Sequence, residues 1–410
     1  MRKYTAKRQT RGVWWRVLVA ALPLWCVLFT SRPAHAYSWM IRHGYSGCPV
    51  CHADPSGGET LTAYGRAQSD LLLRTHWDGK NPEEAEPSNA SRFLWFMDTP
   101  QALLLGGSVR LATTYKSSKL AFFPMQLDAY GQLRFGKVIM GGSLGVIKTP
   151  AGSPYGRTSQ ITTNQGDQYN LISRSFYLGM DLSNEFTLRV GRLNLPFGVR
   201  IPEHTMWVRA TTRTDRESGQ QYGVALAYNA EKIRGELMGI AGNYQINPDE
   251  YRERGYSGYL ELSVGERAGI GVSSFYTYAK RDRVSLATSV GRGAHGAFTR
   301  LGVTDEFAIL GEADLITDSS RASFGYVGYL QGDYEFIQGL HGIATMEWQD
   351  QGQLESDHVE NKPKRPGAGK GELGFWVGAN WFFLPHLDIR TDAIIRPHDF
   401  TLITQLHAFL

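Results

Sequence analysis

The sequence predicts an all-β chain, an antiparallel transmembrane β-barrel of about 16 strands. Three observations carry that reading. Short windows alternate apolar and polar residues with period two, as in Met125-Gln126-Leu127-Asp128-Ala129-Tyr130, Tyr259-Leu260-Glu261-Leu262-Ser263-Val264 and Ala344-Thr345-Met346-Glu347-Trp348-Gln349. Such windows give a strand one apolar and one polar face, and helical spacing does not fit them. The connections alternate between short and long, the rhythm of barrels with tight turns at one rim and longer loops at the other. Beyond the N-terminal segment no apolar run reaches the roughly 20 residues of a helical membrane span.

Strands are expected near 102–115, 124–135, 138–148, 171–182, 186–195, 222–229, 233–241 and 256–264. They continue near 268–280, 295–303, 307–316, 323–335, 340–351, 371–383, 387–396 and 400–410. Short links fall near 136–137, 183–185, 229–232, 265–267, 305–306, 337–339 and 385–386. Long polar loops fall near 148–169, 196–220, 243–254, 281–294 and 352–370. Tyr, Trp and Phe gather near strand ends, as at Trp376, Trp381, Phe382 and Phe383, where barrels place aromatic girdles. The run Leu402–Leu410 reads as a closing strand, with Phe409 penultimate rather than last. A soluble sandwich or propeller also alternates, but leaves the rhythm of the loops unexplained.

Composition agrees. The chain of 410 residues holds 46 glycines, 20 tyrosines and 19 phenylalanines, a sheet-rich profile. Its net charge of +4 is close to neutral, so no nucleic-acid partner is implied. The positive charge that does cluster lies at the extreme N-terminus. Arg2, Lys3, Lys7, Arg8, Arg11 and Arg16 form a basic region, Val17–Phe29 an apolar one, and Ala34-His35-Ala36 a small-x-small cleavage site. Residues 1–36 therefore read as a signal peptide cut after Ala36. Trp25 is too bulky to precede a lipoprotein cleavage, so Cys26 reads as part of the apolar region.

Four zones follow from these boundaries: signal peptide 1–36, a small segment 37–80, a polar linker 81–91 and the barrel 92–410. If the apolar face of the barrel meets lipid, Asp128, Glu236, Glu261, Glu312, Asp314, Glu347, Asp388, Arg390 and Asp392 line the lumen. An Arg or Lys facing lipid at mid-depth costs about 2–4 kcal/mol. Those carboxylates either attract cations or pair with arginines such as Arg134, Arg189 and Arg390. Gly191–Arg209 reads as a long loop able to fold inward; Glu203 and His204 on it fall short of a metal site.

The small segment carries the chemistry. Outside the signal peptide the cysteines are Cys48 and Cys51, in Cys48-Pro49-Val50-Cys51-His52. C-x-x-C-H is the attachment pattern of haem c: two thiols add across the haem vinyl groups and the adjacent imidazole reaches the iron. A zinc site needs four ligands, and no second cysteine pair exists. One covalent haem c is expected on Cys48 and Cys51, with His52 as its proximal ligand. His76 is the favoured distal ligand, with His43, Met40 and Met97 as alternatives, and Arg66 is a candidate partner for a haem propionate. Glu59–Leu73 reads as an amphipathic helix, with Pro55, Gly57 and Gly58 turning beside the porphyrin. About forty residues cannot enclose a porphyrin, so the barrel must supply walls and the segment is expected to plug it.

A signal peptide, one C-x-x-C-H, the following Leu61-Thr62-Ala63-Tyr64-Gly65-Arg66 and then a barrel resemble the monohaem cytochrome–porin fusions of the bacterial outer membrane. That group includes outer-membrane ferrous-iron oxidases. The motif-level resemblance covers about residues 46–66. It implies a cytochrome in the barrel mouth, embedded in outer-membrane lipid, carrying electrons from extracellular ferrous iron to periplasmic c-type cytochromes. Two alternatives stand beside it: a diffusion porin with a structural or sensory haem plug, and a barrel scaffold for a separate multihaem cytochrome.

Overall fold

The structure, a computed structural model, describes residues 38–45, 47–55, 57–77, 79, 87–100, 102–148, 161–162, 169–214, 219–243, 249–321, 324–352 and 370–410. The signal-peptide expectation for 1–36 and most of the linker lie outside the described residues. The strands are β1 Leu103–Lys116, β2 Lys119–Phe135, β3 Val138–Lys148, β4 Tyr169–Ile172, β5 Phe176–Asp181 and β6 Phe186–Leu193. They continue as β7 Gln221–Asn229, β8 Ile233–Gly242, β9 Arg254–Val264, β10 Ala268–Arg281, β11 Thr288–Gly302 and β12 Phe307–Asp318. The rest are β13 Gly325–Ile337, β14 Leu340–Asp350, β15 Glu372–Leu384, β16 Leu387–Arg396 and β17 Asp399–Phe409. Each pairs antiparallel with its neighbours, and β17 returns to β1 in the register Ser108↔Phe409, which closes the sheet and leaves no edge. β4 and β5 both pair with β3 and are two halves of one interrupted strand, so the barrel has 16 strands.

The period-two pattern works as expected. Along β10, Ser273, Phe275, Thr277 and Ala279 are buried inward, while Ile270, Val272, Tyr276 and Tyr278 are exposed outward. An outward apolar face on a closed barrel is what a lipid bilayer requires. Short turns at 136–137, 183–185, 230–232, 265–267, 303–306, 338–339 and 385–386 share one rim with the barrel's two termini. The opposite rim carries the long loops and two tight hairpins. One of these, Ser117-Ser118, has both residues at positive φ (49° and 61°), the twist a two-residue hairpin needs.

Three boundaries differ from expectation. β2 starts at Lys119 rather than near 124, because a register shift between Arg110 and Leu111 accommodates Pro124 within the strand. β11 starts at Thr288 rather than near 295, which shortens the loop expected at 281–294 to 282–287. The helix expected over Glu59–Leu73 is Ala63–Gln68 followed by a π-helical turn, Ser69–Leu73. Thr62 caps it by accepting from Gly65 N–H at 3.0 Å, while Glu59 sits at φ 55° and is not helical.

Two segments fill the lumen. The N-terminal segment enters at the short-turn rim. Its 3-10 turn Ser38–His43 packs on β11 and β12, so close that a Cβ on Gly302 would stand 2.3 Å from the Cα of Arg42. The loop after β6 folds inward from the opposite rim and carries the helix Trp207–Thr212. Leu195, Phe197, Val199, Met206, Trp207 and Val208 of this loop form an apolar core with inward wall residues such as Met238, Phe275, Phe298 and Tyr329. Where this loop lies, the lumen is packed among the described residues.

Candidate functional site

Cys48 to His52 form one tight turn, in which His52 N–H donates to the Cys48 carbonyl at 3.0 Å. A short two-way ladder holds that turn. Thr62 N–H donates to the Cys51 carbonyl at 2.8 Å, Ala53 N–H to the Thr60 carbonyl at 2.9 Å, and Thr62 Oγ1 to the Val50 carbonyl at 2.7 Å. The following helix lies directly on the motif: a Cβ on Gly65 would fall 2.3 Å from the Cys51 carbonyl oxygen, so no other residue fits there. The conspicuous Leu61–Arg66 stretch thus has a local structural task, to brace the motif.

The motif is also locked to the wall. Asp54, two residues after His52, meets Arg189 of β6 at 2.7 Å and Asn194 at 3.2 Å. Arg234 of β8 donates to Cys48 Sγ at 3.4 Å. Ser175, in the interruption between β4 and β5, donates to Glu59 Oε2 at 2.6 Å. The interruption is built by Ser143, whose Oγ accepts from the N–H groups of Arg174 and Ser175, and it aims Ser175 at the plug, a common use of a bulge.

Cys48 and Cys51 are buried thiols, not joined to each other. Both, with His52, line one cavity inside the barrel. Its empty space is about 1520 Å³, part of it open solvent. The plug supplies one wall, with Met40, Glu59 and Leu73 among its residues. The inward loop supplies another, Arg200 to Thr205. The barrel supplies the rest, from Trp376 and Asp392 at mid-depth to Ser108, Asp388, His407 and Phe409 near the short-turn rim. Two reduced thiols and an imidazole facing one lumen cavity are the donor set that a haem c takes, so the residues fit the expected group.

The cavity collects some expected residues and not others. His76 is not among its lining; its Nε2 lies 3.0 Å from the Leu71 carbonyl. Arg66 also points elsewhere, donating to the Leu105 carbonyl of β1 at 2.8 Å. His43 lies in the rim turn beside Arg42, and burial next to that cation lowers its pKa to about 4. Met97 is exposed in the turn Phe93–Met97. Of the four distal candidates only Met40 reaches the cavity. His204 and His407, which the motif gave no reason to join to it, do reach it.

The expected lumen charges all face inward and are buried. Most are paired: Asp128 with Arg174 at 2.8 Å, Glu312 with Arg209 at 2.6 Å, Glu347 with Arg396 at 2.7 Å, and Arg390 with both Asp392 and Glu203, whereas Asp314 pairs with no arginine among the described residues. Glu236 meets Arg189, and Glu261 meets Arg234 and Arg300. Arg134, by contrast, pairs with Asp181 at the exposed rim. Among the described residues no cluster of three or more His, Cys, Asp or Glu side chains could hold a metal ion. Of these carboxylates Glu312 and Glu347 hold the inward loop, accepting from Val199 N–H and Trp207 N–H, while Glu261 pairs within the wall.

Glu59 differs. Burial, with Asp54 nearby, pushes its carboxyl up to about 7 against the pull of Ser175 and Arg189. A carboxyl raised in the folded state holds its proton there when the unfolded chain has lost it. Stability therefore falls as pH rises from the ordinary carboxylate range through about 7. Glu59→Gln removes that cost. Its thermal midpoint is expected to exceed wild type at pH 8, by the equivalent of about 1–3 kcal/mol, and to match it near pH 4. A pH-independent difference contradicts this.

The class defined by this architecture is the outer-membrane-type β-barrel, a closed antiparallel cylinder of 16 strands. No family model matches the chain, and no curated protein does. The chain is similar to OmpTΔL8, a loop L8 deletion mutant of OmpT, an outer membrane protein of Vibrio cholerae. The TM-score is 0.53 at 10% identity, over 75% of this chain and 99% of that one. The outer membrane channel DcaP of Acinetobacter baumannii gives a TM-score of 0.52 at 13% identity, over 77% and 99%. An anion-selective porin from Comamonas acidovorans gives 0.51 at 9% identity, over 75% and 99%. At these identities the likeness is one of fold.

Proposed function

We propose that this chain resides in the bacterial outer membrane and transfers electrons through a single haem c attached to Cys48 and Cys51, with His52 as an iron ligand. The observation that supports it best is the placement of all three residues on one cavity inside a closed barrel. When bound, the group would supply a one-electron couple. The chain's own part is enclosure. Apolar side chains of the inward loop wall off the long-loop side, and the cavity runs toward the short-turn rim. A periplasmic c-type cytochrome at that rim would be the electron acceptor. Extracellular ferrous iron, oxidised to ferric iron with loss of one electron, is the donor implied by the resemblance.

The second reading is a diffusion porin whose haem is a plug, and the fold shared with DcaP and the Comamonas porin favours it. The packing around the inward loop weighs against free diffusion. Liposomes separate the two. With protein in the bilayer, an acceptor cytochrome inside and ferrous iron outside, the internal acceptor is expected to be reduced while a small trapped dye stays inside. Dye leakage without reduction would replace this proposal by the porin.

A further inference from the structure

We infer that His204, on the inward loop, would supply the second protein ligand to the haem iron, in addition to His52. This rests on the haem reading above. Apart from His52 and the two attachment cysteines, the cavity lining offers three nitrogen or sulfur side chains able to ligate iron: Met40, His204 and His407. His407 is committed. Its Nε2 lies 3.0 Å from Ser108 Oγ and its Nδ1 lies 3.1 Å from Asp388 Oδ1, so coordination would break a bond that orients the ring. Met40 is only 3% exposed and packs in an apolar cluster with Trp39, Leu73, Ala308 and Phe382. It also sits on the same plug as His52.

The imidazole of His204 makes no hydrogen bond among the described residues, although it lines the cavity and is only half-buried. Its backbone is held. His204 N–H donates to the Pro202 carbonyl at 3.0 Å, and Met206 N–H to the Glu203 carbonyl at 3.3 Å. Glu203 beside it is gripped by Arg390 at 2.6 Å and Gln331 at 3.1 Å. Ser38 of the plug donates to the Arg200 carbonyl and ties plug to loop. A fixed backbone carrying an uncommitted imidazole, on a different segment from the attachment motif, is the arrangement a second ligand needs. The loop then has a further role: it brings the ligand to the plug and closes the cavity around both.

The test is spectroscopic, on full-length protein made in a host that matures c-type cytochromes. The wild type is expected to be low-spin in both oxidation states, without the sulfur-to-iron charge-transfer band of a methionine-ligated haem. His204→Ala is expected to become high-spin and to return to low-spin with added imidazole. His204→Met is expected to gain the sulfur band and a higher potential. Met40→Leu and His76→Ala are expected to keep the wild-type spectrum. A low-spin, wild-type-like His204→Ala overturns the inference, as does loss of the low-spin signal in Met40→Leu or His76→Ala. All of these outcomes presuppose a Soret band in the wild type. Its absence there would instead bring down the haem reading itself.

Discussion

Arg42→Ala is expected to release the N-terminal plug from the barrel rim at a cost of about 3–5 kcal/mol, the usual penalty for removing one partner of a buried ion pair. Arg42 is fully buried and bridges two carboxylates, Asp333 and Glu335, each at 2.7 Å. Its guanidinium also stacks 4.6 Å from the Trp39 ring centroid. Without it both carboxylates stay buried, with His341 3.0 Å from Asp333. Arg42→Lys is expected to be nearly as harmful, because a compact ammonium cannot serve two carboxylates in the fork geometry of a guanidinium. Proteolytic cleavage between residues 38 and 77, with the barrel still resistant, reports the release. Protection equal to wild type would contradict the account of how the plug is held.

The second large effect concerns the other end of the lumen. Glu312 of β12 accepts from Val199 N–H at 2.7 Å and from both Nη atoms of Arg209, at 2.9 and 2.6 Å. It clasps the inward loop at two points, Val199 and Arg209. Glu312→Ala leaves Arg209 without its carboxylate in the barrel interior and is expected to cost about 3–5 kcal/mol. The loop then leaves the lumen part of the time. In a planar bilayer the wild type is expected to show little conductance and Glu312→Ala to show frequent openings. A wild type with the steady conductance of an open porin would contradict the packing around the inward loop.

Much of the barrel was legible because lipid outside and buried side chains inside force strict alternation. Tyr259–Val264 and Ala344–Gln349 fall inside β9 and β14 as expected. The start of β11 was not legible, since in Thr288–Ala294 Val290 is the one large apolar side chain and no apolar face shows. Its glycines are required by neighbours instead: a Cβ on Gly291 would meet the Tyr276 hydroxyl at 2.4 Å. Pro124 disguised the first part of β2 in the same way, its fit depending on a bulge at Met125 in β2 itself. The inward aromatic residues Phe275, Phe298 and Tyr329 make sense only once the loop after β6 occupies the lumen, and local pattern does not reveal a loop's direction.

At the site, the C-x-x-C-H motif is legible because its five residues, Cys48 to His52, are contiguous in sequence. The enclosing residues are not. His76 is near the motif in sequence, yet its ring turns to the Leu71 carbonyl, whereas His204 is remote in sequence and reaches the cavity. Glu203 and His204 attracted notice as a pair, but the structure separates them: Glu203 answers Arg390, and His204 faces the cavity. The signal for that was the inward loop itself, whose length allowed it to fold into the barrel without showing which side chain it would present.

The most direct measurement is the intact mass of the denatured chain purified from outer membranes of a host that matures c-type cytochromes, wild type beside Cys48→Ser/Cys51→Ser. Enclosure of a covalent haem within the barrel predicts that the wild type carries the mass of one haem and the double variant none. A wild-type chain at its bare polypeptide mass, with Cys48 and Cys51 still titrating as thiols, would contradict it.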